Sequence, residues 1–155
     1  MASTATASYR SQSSSAWQSL SLSTGAAAPV GLFGRFLFVL IFLMSGPMDF
    51  SGQTIAFAAS QGVPLASIAV PLSGVLALAG GLSILLGYRA KMGAWLLVLF
   101  LAAVTPMMHK FWTVTDPMMH QMQFVMFMKN VSMIGAALLV SQLGTGPWSL
   151  DARRK

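Results

Sequence analysis

The chain contains no cysteine and no glutamate, and its only acids are Asp49, Asp116 and Asp151. Without cysteine there is no disulfide, no thiolate metal site and no thiol-based quinone chemistry within the chain. Three scattered aspartates leave no carboxylate pair for acid–base work, and neither a nucleophile elbow nor a phosphate-binding loop is present. Charged residues make up 8% of the whole, against the ~25% usual in soluble domains. A water-soluble globule is thereby excluded.

Apolar residues take the place of charge, at 55% of the sequence. They fall into four runs, about Leu32 to Ser51, Pro64 to Gly87, Met92 to Met108 and Met122 to Leu143. Each is close to the ~20 residues a helix needs to cross the ~30 Å hydrocarbon slab. The runs are continuously apolar instead of alternating with period two, which excludes a membrane barrel. The sequence therefore predicts an all-α membrane protein, a four-transmembrane-helix antiparallel bundle over residues 31–143, in contact with the lipid bilayer.

Two flanking segments differ in character. The first thirty residues hold nine serines, three threonines, no acid and one arginine. Such a segment cannot bury enough apolar surface to fold alone, so residues 1–30 read as a disordered tail, with a cleaved transit peptide as the alternative. Residues 144–155 read as a short basic tail.

Basic residues set the expected orientation. Arg10, Arg35, Arg89, Lys91, Arg153, Arg154 and Lys155 all fall on one side of the four runs, against Lys110 in a loop on the other. By the positive-inside rule both termini are cytoplasmic, and a multi-pass protein of the bacterial inner membrane is expected. The formal charge of +6 then marks topology and attraction to anionic lipid, not a nucleic-acid partner.

Small residues indicate packing. Ser73, Ala77 and Gly81 recur every four positions on the second run, and Ser132 and Ala136 form a similar strip on the fourth, each inviting a neighbouring backbone. Gly46-Pro47 is expected to break the first run near its outer end, and Pro71 to kink or end the second. The short Gly87 to Lys91 turn makes the second and third runs antiparallel neighbours.

Polar residues gather toward the outer side. Lys129-Asn130 lies inside the fourth run, where an ammonium costs ~3 kcal/mol near the centre of a span and usually marks a pathway, a partner or a site. At ~1.5 Å per residue Lys129 lies ~10 Å below the start of its run, from which its stem can lift the charge toward Asp49. His109, Phe111 and Trp112 complete the cluster. The units Met107-Met108-His109 and Met118-Met119-His120 pair thioether with imidazole, the ligand set of Cu(I). Methionine also fills irregular apolar gaps, and copper is the less favoured cofactor.

Gly34-Arg35, Ser45-Gly46, Gly62-Val63-Pro64, Gly80-Gly81-Leu82, Leu85-Leu86-Gly87, His109-Lys110-Phe111-Trp112, Lys129-Asn130 and Ser149-Leu150-Asp151 resemble, in this order, the DoxX family. That resemblance covers about Gly31 to Asp151. It implies a small four-span inner-membrane protein related to the small subunit of thiosulfate:quinone oxidoreductase, or to members active in oxidative-stress defence. A lysine of the first span and a glutamate of the second, frequent in that family, are matched here by Asp49 and Ala77.

Together these readings predict an outward-facing pocket for a quinone head group in a subunit of a redox assembly, with other membrane subunits or further copies of the chain as partners. In it Lys129 and Asn130 hold an oxygen, His109 handles the proton, Phe111 and Trp112 flank the ring, and Asp49 pairs with Lys129. The alternative is a non-catalytic membrane scaffold or assembly factor.

Overall fold

The computed structural model describes residues 24–146 and 148–154. Within them the chain forms α1 (Thr24–Ser45), a 3-10 turn (Gly46–Phe50), α2 (Gly52–Ser60), α3 (Ala66–Leu86), α4 (Ala90–Met108), a second 3-10 turn (Phe111–Thr113), α5 (Pro117–Leu143) and a last turn (Ala152–Arg154). Four segments are long and apolar enough to cross a membrane: Ala28–Phe50, Ala66–Leu86, Ala90–Thr113 and Pro117–Leu143. The fold is an all-α membrane bundle, as the four apolar runs require.

The expected tail lies outside the described residues over 1–23, whereas residues 24–30 belong to α1. The break at Gly46-Pro47 is present, with α1 passing there into the 3-10 turn. Pro71, by contrast, lies inside α3 and does not end it. Only the carbonyl of Ser67 loses its helical donor there.

The spans pack in sequence order, α1 along α3, α3 against α4 and α4 against α5. Val39 and Phe42 of α1, Ala77 and Ile84 of α3, Ala94, Leu97 and Leu101 of α4 and Ala137 of α5 form one buried core. Small residues set the spacing on α3: Ala77 and Gly81 of the expected strip are buried, and the closest approaches are at Gly74 and Gly80. A Cβ on Gly74 would sit 2.8 Å from the Gly46 carbonyl oxygen, and one on Gly80 would sit 2.8 Å from that of Gly93. On α5 the expected strip is one step out of register. Ser132 is exposed, and the buried residues of that helix are Asn130, Ala137 and Ser141.

At the basic end the C-terminal segment folds back onto the bundle. Leu150 and Asp151 donate backbone hydrogen bonds to Leu86 O (3.2 Å) and Gly87 O (2.8 Å). The Asp151 carboxylate accepts from the amides of Arg89 (2.9 Å) and Ala90 (3.1 Å), where a negative charge complements the start of α4. Arg35, buried on α1, donates to the carbonyls of Trp148 and Leu85. Arg35, Arg89 and the C-terminal segment from Trp148 to Asp151 thus meet at one end of the bundle.

Candidate functional site

At the opposite end the helices enclose a cavity of about 440 Å³. Its walls come from all four spans, including Phe42 and Ser45 of α1, Val70 and Ser73 of α3, Leu101 and Met108 of α4, and Asn130 and Met133 of α5. Thr54 and Ala58 bring α2 into the lining. That short helix begins because Ser51 accepts from the Thr54 amide at 3.2 Å, satisfying a free donor of the first turn. Its apolar side, with Ala58 at the centre, packs on Ala66, Val70 and Met108. Lys110 holds the roof by donating to Gln61 O at 2.7 Å.

Asp49, half-buried on the 3-10 turn, lines the cavity and accepts from Ser73 Oγ at 3.1 Å. The turn brings it there, since a continued α-helix would rotate it away from α3. His109 follows the last turn of α4, and its Nδ1 lies 2.9 Å from Gln123 Oε1 of α5. With Nδ1 protonated and donating to that oxygen, Nε2 remains an acceptor. Asn130 is 7% exposed, lines the cavity, and makes no side-chain hydrogen bond among the described residues. It offers two donors and an acceptor to whatever occupies the space.

Three expected site residues lie elsewhere. Lys129 is exposed on the outer face of α5, its nitrogen 3.3 Å from Met126 Sδ. One helical position separates it from Asn130, and at 100° per residue that turns it out of the cavity. No ion pair joins it to Asp49, which is bonded to Ser73 instead. Phe111 makes edge contacts with Trp112 (5.1 Å), His120 (5.7 Å), Phe124 (5.3 Å) and Phe127 (5.4 Å). Phe111 and Trp112 therefore fasten the loop between α4 and α5 onto α5, and neither lines the cavity. His109 and His120 are held by different partners, the one by Gln123 and the other by Phe111, and do not form one ligand set.

Sequence reasoning passed over Ser45, Thr54 and Ser73. Ser73 was legible only as a small packing residue, although Pro71 two positions earlier marks that turn of α3 as special. Thr54 belongs to a helix too short to stand out from a loop.

Fold and cavity define the class: a four-span membrane bundle with a mostly apolar chamber near one surface and a few polar groups aimed into it. The family model of the SURF4 family matches residues 32–155, and the chain belongs to that family. This corrects the expected DoxX membership. The chain is also 34% identical, over 133 residues, to a protein named inner membrane protein YphA of Escherichia coli strain K12, covering 83% of this chain and 94% of the relative. No solved structure matches significantly.

Proposed function

We propose that the chamber binds a small amphipathic molecule with a ring-borne oxygen, of the quinone type, and that the protein is a membrane-embedded binding subunit. The observation that carries this reading is Asn130, 7% exposed and with no side-chain partner among the described residues, in a chamber that also displays Asp49. Its polar atoms open onto the chamber, where a hydrogen-bonding occupant can meet them at a net gain of ~0.5–1.5 kcal/mol per bond. The Asn130 amide donates to a carbonyl oxygen, while Asp49 and His109 Nε2 accept from a hydroxyl of the reduced form. Apolar walls take the ring, in the usual manner of ligand sites with few polar contacts.

The bilayer concerned is the bacterial inner membrane, with both termini cytoplasmic. Support comes from the similarity to the E. coli inner membrane protein and from the five bases Arg35, Arg89, Lys91, Arg153 and Arg154 lying toward one end of the bundle.

Protein in nanodiscs, titrated with a short-tailed benzoquinone, is expected to show a saturable rise in Tm that Asn130→Leu abolishes. No rise with any benzo- or naphthoquinone, together with no small molecule extractable from the purified protein, overturns the proposal.

A further inference from the structure

Lys129 poses a problem that the chamber does not solve. Its ammonium projects from the outer face of α5, along a strip of apolar side chains that includes Met122 and Val125. The helix and its apolar span run from Pro117 to Leu143. Lys129 lies twelve residues from its start, ~18 Å at ~1.5 Å per residue, and its ammonium reaches back one turn toward Met126. Lipid supplies no counter-charge at that depth, and charged groups in spans normally face protein, water or a partner.

The chain cannot supply the missing charge, either from within or from a second copy. Asp49 faces into the chamber, whereas Lys129 faces outward. Asp116 caps α5 by accepting from the Met119 amide at 2.8 Å. Asp151 caps α4 at the far end of the bundle. There is no glutamate, and a symmetric dimer through this face would set two ammonium groups together.

Next to Lys129 the same face is shaped for close contact. Ser132 is exposed, and a Cβ on Gly135 would meet nothing within 4 Å. Small residues at such positions let another helix approach to backbone distance, which is how a carboxylate on that helix reaches an ammonium without water.

We propose that the outer face of α5 around Lys129, Ser132 and Gly135 docks a spanning helix of a different protein, one that carries an aspartate or glutamate at the depth of Lys129. The charge selects the partner, and the small residues set the distance.

Treatment of native membranes with dicyclohexylcarbodiimide tests this, because the reagent enters the bilayer and joins a carboxylate to a contacting amine. Mass spectrometry is expected to find Lys129 in an isopeptide bond to an aspartate or glutamate within an apolar segment of another protein. Lys129→Arg keeps the charge but should remove the cross-link, and Lys129→Met should lower recovery of that partner with the tagged chain at least tenfold. A link from Lys129 to an aspartate of this chain, or none while other lysines cross-link, overturns the proposal. So does labelling of Lys129 by a bilayer-impermeant amine reagent applied from the outer side as fast as Lys110 of the loop on that side, which would show the ammonium at the water surface.

Discussion

Ser73 Oγ stands 3.1 Å from Asp49 Oδ2 and 2.7 Å from Val70 O. One hydroxyl proton serves both acceptors, and the nearer carbonyl competes for it. The carboxylate is therefore positioned by α3 without being saturated, which leaves it free to take a proton donor from the chamber. Ser73→Ala should lower stability by ~0.5–1.5 kcal/mol, the net worth of one hydrogen bond. It should weaken quinone binding severalfold without abolishing it, read from denaturation and titration in nanodiscs. Binding left unchanged would show that Asp49 is placed by its own turn alone.

Gly74 admits that turn to α3. A Cβ there would stand 2.8 Å from Gly46 O and 2.8 Å from Asp49 Cβ, and neither backbone nor Cβ can swing aside as a long side chain would. Gly74→Ala is expected to cost ~1–3 kcal/mol, as overpacking usually does. Gly135→Ala meets nothing within 4 Å and should be neutral or stabilising by up to ~1 kcal/mol, the usual gain from replacing helical glycine. Equal losses at the two positions would contradict the close approach at Gly74.

Asp49 and Lys129 should behave as independent sites. The first lines the chamber and the second faces outward, so a double-mutant cycle of Asp49→Asn and Lys129→Met is expected to add within ~0.5 kcal/mol. A coupling of 2 kcal/mol or more, a magnitude contacting residues can reach, would restore the pair that the structure separates.

Arg35 ties α1 to the C-terminal segment through the carbonyls of Leu85 and Trp148. Hydrogen bonds to a charged donor are worth ~1.5–3 kcal/mol each at most. Arg35→Met should release the segment, so that trypsin cuts after Arg153 and Arg154 at least tenfold faster in intact nanodiscs. The ligand-induced Tm shift should persist, because the chamber lies at the other end.

The helices were legible because the bilayer imposes one rule, continuous apolar runs of fixed length, and the sequence obeys it four times. The broken end of α1 was legible too, since Gly46-Pro47 cannot continue a helix. Facing was harder. Neighbours in sequence such as Lys129 and Asn130 share a depth but not a direction, and only packing against α4 decides which of them turns inward. Aromatic residues misled for a related reason. Phe111 and Trp112 lie beside His109 in the chain, yet Phe124 and Phe127, about two and three turns into α5, offer them a better apolar surface than the chamber does. Helix α2 was invisible because its nine residues gain stability from Ala66, Val70 and Met108, which no local pattern reveals.

Asn130 separates a binding role from a structural one by the sign of a single effect. If its carboxamide served the fold, removing it would break a bond and lower stability. It makes none among the described residues, so Asn130→Leu, which keeps the volume and adds apolar contact with Met133 and Leu101, should leave stability unchanged or raise it by ~1 kcal/mol. Ligand binding should move the other way and fall at least tenfold, a loss of about 1.4 kcal/mol. Thermal denaturation without ligand and titration with ligand, on the same nanodisc preparation, give both signs. A variant that is less stable by 2 kcal/mol or more would make Asn130 part of the scaffold, and the chamber would then need another polar anchor.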